Sequence, residues 1–239
     1  MGKRIISQAR GKGSLTYRVK KKAFKHEIKY PQKLEGEGII FKLVHSAGHS
    51  APLAKIVFSN KVFYTPAATG VYEGQKVKLI KGKKAGEIAA LKDLPSRTEV
   101  YNIESRPLDG GKFIRSAGGK AVIVKKEKDW VVLLMPSKKQ KKFHPDCRVT
   151  IGVAAGGGRG DKPVVKAGKK YYIKKAKSKL WPRTSAVSMN AIDHPFGSGR
   201  GKNLTHGQIG KIPKRNAPPG AKVGSIRARR TGRGRGGKK

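Results

Sequence analysis

The sequence is poor in acid and almost free of sulfur. Its 239 residues hold 14 Asp and Glu against 56 Lys and Arg, a formal net charge of +42. That imbalance far exceeds what solubility needs, and such a chain repels itself unless a polyanion neutralises it, which points to nucleic acid. Few carboxylates also weigh against sites that hold hydrated magnesium, because those sites gather several. One cysteine, Cys147, excludes an intrachain disulfide framework and the paired thiolates of a typical structural zinc site. It fits a reducing, cytosolic compartment. No apolar run reaches the roughly 18 residues of a membrane span. The start, MGKRIISQARGKG, lacks the apolar stretch of a signal peptide. A peripheral membrane helix would need a bulky apolar face, whereas the basic ends here are glycine-rich. The expectation is a protein neither exported by that route nor bound to membrane.

What is present changes character along the chain. Residues 1–36 hold 11 basic residues, only Glu27 and Glu35 as acids, and almost no apolar periodicity, so they read as an extended arm. Between 37 and 160 come GIIFKLVH, LAKIVFS, VFYTP, KVKLI, EVYNIE, KAVIVKK, WVVLLMP and CRVTIG. These runs are short, rich in β-branched and aromatic residues and bounded by Gly, Pro, Ser or Asn, the pattern of small barrels or sandwiches. A break at KDLPSRT, residues 92–98, divides them into two groups. GVAAGGGRGDKP then reads as a glycine-dense turn. Lys166 to Leu180 is the best helix, with Val165, Tyr172, Ala176 and Leu180 roughly on one side and a stop at Trp181-Pro182. Beyond it nothing can bury a core, and the last 13 residues carry seven charges, so the tail should order only on binding.

Charge alone binds phosphate without reading sequence, by neutralisation and counterion release. Interspersed glycine lets the backbone approach phosphates closely. Nothing resembles a recognition helix or a zinc finger, which removes the commonest sequence-reading DNA modules. Small β-barrels with basic arms suit folded RNA, whose crevices accept chain segments. An architectural DNA-binding protein stays open as an alternative. The tail does contain G-x-x-x-x-G-K, Gly232 to Lys238, but Lys239 stands where Ser or Thr must hold magnesium and no strand precedes it. AGGGRGDKP could form an anion nest from successive N–H groups or serve as a flexible turn, and both readings stand.

The stretch SMNAIDHPFGSGRGK raises its own question, because Asp193 is the only acid after Lys162 and it adjoins His194. Three readings apply. A catalytic pair would need a nucleophile in reach, and Ser185, Ser188 and Ser198 are near in sequence only. A metal site would need more ligands, and His206 is the only other imidazole nearby, so a metal-assisted RNA-processing enzyme is the rival functional class. The structural reading has Asp193 hold the turn, by accepting backbone N–H bonds or pairing with a local Arg, while His194, Pro195 and Phe196 dock against RNA or a barrel. His26, His45, His49, His144 and His206 read as surface or RNA-contacting. Trp130 is expected in a barrel core, Trp181 as a core anchor or stacking residue, and Cys147 as an inert buried thiol.

Read together, GVAAGGGRGDKPVVKAGKKYYIKKAKSKLWPR and SMNAIDHPFGSG resemble the signature region of the universal large-subunit ribosomal protein two family, in its archaeal and eukaryotic form. GKRIISQARGKG resembles that family's arm, APLAKIVF its first barrel, IRSAGGKAVIV and DCRVTIG its second, and APPGAKVGSIRARRTGRGRG its tail. The match runs through nearly the whole chain in order. Two departures stand out: Met189-Asn190-Ala191-Ile192 replaces the usual Met-Asn-Pro-Val, and Ser198 interrupts a run of glycines after Phe196.

The resemblance implies an all-β chain, an OB-fold barrel followed by an SH3-like barrel, with basic extensions and one short helix. The expected divisions are a 1–36 arm, a 37–95 OB-like barrel, a 96–180 SH3-like barrel with the glycine loop and helix, and a 181–239 RNA-threading segment. The implied role is a structural, non-enzymatic constituent of the cytoplasmic large ribosomal subunit. It would bind rRNA and support subunit association, tRNA placement and the peptidyl-transferase region. Implied partners are large-subunit rRNA, neighbouring ribosomal proteins, the small subunit through a bridge and tRNA indirectly, with no membrane. No cofactor or protein-held metal is implied, only magnesium bound by rRNA. Expected RNA contacts are Lys3, Arg4, Arg10 and Lys12 in the arm, and Arg159 and Lys162 at the glycine loop. Arg183, Asn190, His194, Phe196, Arg200 and Lys202 follow around the HP motif, and Arg227, Arg229, Arg230 and Arg233 in the tail. Asp193, Pro195, Gly197 and Gly199 are expected to shape the loop, with His194 close to the ribosome's functional centre.

Overall fold

A computed structural model describes residues 2–197 and residue 223. The chain divides into two compact units, one of Val19–Lys179 and one of Met1–Arg18 with Leu180–Lys239.

The larger unit holds two antiparallel sheets. In the first, β1 (Glu37–Val44), β2 (Leu53–Phe58), β3 (Lys61–Pro66) and β4 (Lys76–Lys78) lie in the order β3-β2-β1-β4. Ser59 and Asn60 join β2 to β3 with φ of 42° and 61°, so both central residues take the left-handed turn whose twist matches that of the strands. The hairpin fixes the register Ile56↔Phe63, and β1 adds Ile40↔Ile56. With period two, Ile40, Ile56, Phe63 and Val77 then share the inner face while Ile39, Phe41 and Val62 face out.

The second sheet contains β5 (Ile88–Ala90), β6 (Glu99–Tyr101), β7 (Ala121–Lys126), β8 (Val131–Leu134), β9 (Gln140–Phe143) and β10 (Arg148–Ile151), in the order β5-β10-β6-β7-β8-β9. Its core gathers Leu91, Val100, Ile103, Ile123, Leu133, Phe143 and Val149, each at most 2% exposed. Both sheets are open as hydrogen-bonded ladders. The architecture is all-β and consistent with an OB-fold followed by an SH3-like barrel.

All eight expected strands are present, together with two that the sequence pattern did not signal. β9 lies in the run KKQKKF: as the edge of its sheet it needs only Phe143 inside, and its lysines face solvent. β5 lies before the expected break at 92–98 yet pairs with β10 in the second sheet. Its three residues serve two cores, Ile88 on the first and Ala89 on the second, so it shows no one-sided alternation.

Three further expectations change. The second half of the arm is part of the fold, because Ile28, Tyr30 and Leu34 are at most 5% exposed. Arg148 holds that segment: its guanidinium donates to the carbonyls of Pro31 (2.6 Å) and Gln32 (3.2 Å) while its Nε and Nη2 clamp Glu104. The fully buried Glu104 carboxylate also accepts the N–H groups of Arg148 and Gly110. Such sparse, long-range anchoring has no local periodicity to read. Trp130 is 45% exposed, since it sits at the β7–β8 turn where Glu127 N–H bonds its carbonyl. Cys147 is buried as expected, and burial raises its thiol pKa to about 11.

The helix expected over 166–180 is the shorter α2 (Ala167–Ala176), and none of its residues is buried. It ends at Ser178, which takes φ of 52° while Ser178 N–H bonds Lys175 O and Lys179 N–H bonds Lys174 O. This Schellman cap closes the helix before Pro182 is reached. The expected apolar side has no core beneath it, with Tyr172 69% exposed. The smaller unit contributes α1 (Ile6–Gly11) and the turns of 185–197.

Candidate nucleic-acid interface

In the smaller unit the arm and the HP loop meet. Lys3 N–H donates to Ile192 O (2.7 Å), and Lys3 Nζ lies 3.2 Å from Asp193 Oδ1. Among the described residues the cation that pairs with Asp193 is therefore Lys3, and it pins the loop to the start of the chain. Gly2, Lys3, Arg4, Ile5 and Gln8 line a groove of about 440 Å³ with Ala191, Ile192 and Pro195.

Asn190 O accepts the N–H groups of Asp193 (3.0 Å) and His194 (3.2 Å), and His194 O accepts that of Gly197 (2.8 Å). These bonds make two successive tight turns. A Cβ on Gly197 would stand 2.3 Å from Asn190 O, so glycine is required there by space alone. Phe196 N–H donates to His194 Nδ1 (3.0 Å), which places the imidazole proton on Nε2 and turns that nitrogen away from the backbone. Burial holds the His194 pKa below its usual value, consistent with a neutral ring. The rings of His194 and Phe196 lie 5.1 Å apart. Phe196 is only 6% exposed, so it supports His194 from within and does not present an open face for stacking.

Among the described residues this geometry forms no proton relay: the partner of Asp193 is an ammonium, and the Nδ1 of His194 is occupied by a backbone N–H. Among the described residues no three His, Cys, Asp or Glu side chains gather as metal ligands would.

The larger unit supplies the glycine loop and α2. Gly118, with φ of 69°, crosses the loop so closely that a Cβ there would lie 2.7 Å from Gly157 Cα. Gly118 N–H bonds Ala154 O, and Ala117 N–H bonds the Ser50 hydroxyl. The loop is thus held at its base while Arg159 and Lys162 stay exposed at its tip. Around Lys177 positive charge is crowded: burial first, then Arg159, Lys179 and Lys174, hold its pKa below the usual lysine range.

Arg10 lies in the last turn of α1 and Lys12 caps it, both exposed, as are Arg4, Arg183 and Asn190. Arg200, Lys202, Gly199 and the tail arginines Arg227, Arg229, Arg230 and Arg233 lie outside the described residues. A basic-aromatic cluster around Phe24 and His49 was not singled out by sequence, although VKKKAFKH carries its signal.

Known proteins place the chain in a family. Residues 84–228 match the family model described as Ribosomal Proteins L2, C-terminal domain. The chain is 48% identical to "Large ribosomal subunit protein uL2" of Archaeoglobus fulgidus, over 97% of this chain and 99% of that protein. Proteins of the same name from Methanococcoides burtonii and Methanothermobacter thermautotrophicus are 44% and 43% identical, each over 98% of this chain and all of the relative.

Proposed function

The chain belongs to the uL2 family of large-ribosomal-subunit proteins, and from that premise we propose how a structural constituent of the ribosome, not an enzyme, engages its RNA. The carrying observation is how its few acids are used. Asp193 meets Lys3, Glu104 meets Arg148, Asp146 meets Lys92 and Glu127 meets Lys125 and Lys142. These acids meet cations of the fold itself, while Lys177 at the end of α2 stands among the cations of Arg159, Lys179 and Lys174. Phosphates relieve that repulsion, and each phosphate neutralised releases counterions.

In this reading the two barrels recognise the shape of folded rRNA. Arg159 and Lys162 carry the glycine loop onto phosphates. Lys3 and Asp193 fix the HP loop, and Asn190 and His194 present donors and acceptors at its surface. The basic tail, with Arg227, Arg229, Arg230 and Arg233, threads between RNA segments. The division into a 1–36 arm, two barrels and a 181–239 extension belongs to the same proposal, with β5 as the strand shared between the barrels. The chain takes no cofactor of its own, and any magnesium nearby is held by rRNA. Contacts with neighbouring ribosomal proteins and a bridge to the small subunit complete it, along with support of tRNA placement near the peptidyl-transferase region. The ribosome places the chain in the cytoplasm.

Replacing His194 by Ala tests the assignment. Subunits carrying the variant should assemble less well or join small subunits less well, while peptide-bond formation on subunits already assembled changes little. A fall of several orders of magnitude in peptide-bond formation, with normal assembly, would overturn it.

A further inference from the structure

Within the larger unit, the segment before the first sheet carries Phe24 at the surface, 46% exposed. A groove of about 580 Å³ opens there, lined by Phe24 and by Lys21, Lys22 and Lys25. Its walls are lysine stems and an aromatic ring, apolar within and cationic at the rim.

The ring is held in place. Residues 21–24 form a 3₁₀ turn in which Ala23 is buried and its N–H bonds Lys20 O. Lys20 N–H in turn bonds the Ser178 hydroxyl at 3.0 Å. A Cβ on Gly48 would stand 2.7 Å from the Phe24 ring, so the 46–49 loop backs directly against it. His49 meets the same ring edge-on, with centroids 5.1 Å apart at 90°, and its Nδ1 is fixed by the buried Ser46 hydroxyl at 2.8 Å. Burial and the charges of Arg115, His26 and Lys177 hold His49 below its usual pKa, which marks the surroundings as positive. From Val19 to His26 the chain contains no acid, and Glu27 is the first to follow.

We propose that Phe24, seated against His49 and flanked by Lys21, Lys22 and Lys25, is a stacking site for one unpaired rRNA nucleotide. This rests on the reading of the chain as an rRNA binder and adds what that reading leaves open, the kind of RNA taken here. The base lies on the Phe24 ring and the neighbouring phosphates meet the ammonium groups. A base within a duplex hides both faces in the stack, so the site requires a nucleotide from a loop, bulge or end. The cationic rim rules against an apolar protein segment, which would leave three lysines desolvated without partners.

The test uses the full chain bound to large-subunit rRNA, comparing wild type with Phe24→Leu, Phe24→Trp and a triple change of Lys21, Lys22 and Lys25 to Ala. Ultraviolet cross-linking with mass spectrometry should find a nucleotide adduct at Phe24 or His49 in the wild type. Phe24→Leu should lose the adduct and weaken affinity roughly fivefold to a hundredfold, with an unchanged salt slope, because every phosphate stays neutralised. Phe24→Trp should restore both adduct and affinity. The triple change should flatten the salt slope by about 0.7–0.9 for each phosphate it leaves without a cation. Wild-type binding without the adduct, together with unaltered affinity of Phe24→Leu, would overturn the stacking site while leaving rRNA binding intact. A loss that Trp does not rescue would show that Phe24 only packs against Gly48, and a cross-link to another protein would name a different occupant; either overturns the proposal. Failure of the wild type to bind rRNA would instead refute the underlying reading.

Discussion

Lys3 and Asp193, from opposite ends of the described sequence, form an ion pair with Nζ and Oδ1 3.2 Å apart, backed by the Lys3 N–H bond to Ile192 O. An acid that stands alone in a basic stretch thereby acquires a purpose: it ties the HP loop to the arm. Both side chains are partly exposed, at 67% and 39%, so the pair itself is worth about 0.2–1 kcal/mol and weakens with salt. In a double-mutant cycle of Lys3→Met and Asp193→Asn, the coupling in rRNA affinity should fall in that range at low salt and shrink as salt rises. Strictly additive effects would show that the pair does not set the loop.

The His194 loop should respond to pH. Burial lowers the folded pKa of His194 beneath the ordinary 6.5, so the folded loop binds fewer protons than the unfolded chain. Its stabilising contribution is complete above 6.5 and is lost as pH falls through the folded value. Protonation of Nδ1 also removes the acceptor for Phe196 N–H. Ring-proton NMR of the full chain should show His194 titrating below 6.5, with the Phe196 amide shifting in step. Titration above 6.5 would contradict the geometry.

Breaking the buried pair between Arg148 and Glu104 should be costly. Glu104→Gln leaves the guanidinium without its countercharge at a side chain only 13% exposed, at a cost of about 3–5 kcal/mol. Denaturant unfolding should also show the 28–34 segment loosening, because Arg148 holds it through Pro31 and Gln32. A Glu104→Gln, Arg148→Met double change should recover part of the loss.

The arm and the tail together are expected to carry most of the salt dependence of rRNA binding. Removing Arg227–Lys239 deletes seven positive charges and no residue of either described core. The slope of log affinity for rRNA against log salt should flatten by about 0.7–0.9 for each phosphate that the tail had neutralised. An unchanged slope would assign the electrostatics to the arm and the barrels.

Much of this was legible in the sequence wherever the physics is local. Strand runs such as LAKIVFS and CRVTIG alternate with period two and end at turn residues, and all of them appear as strands. The HP motif and the glycine loop stood out by composition. What stayed hidden depends on long-range contact. Lys3 as the partner of Asp193, Tyr30 and Leu34 as core residues, and β5 shared between two cores leave no local signature. β9 hid behind lysines because an edge strand needs only one buried side chain. α2 looked amphipathic yet covers no core, since periodicity shows which residues share a side but not whether anything lies beneath them. Phe24 and His49, separated by the whole of β1, become one site only when the chain folds.

The central claim, that this chain recognises the folded shape of large-subunit rRNA, meets its most direct test in nuclease footprinting of the full chain on that RNA with excess duplex DNA present. A discrete set of protected nucleotides that persists under the competitor is the expected result. Diffuse protection that the duplex displaces would contradict the account and favour a general nucleic-acid binder.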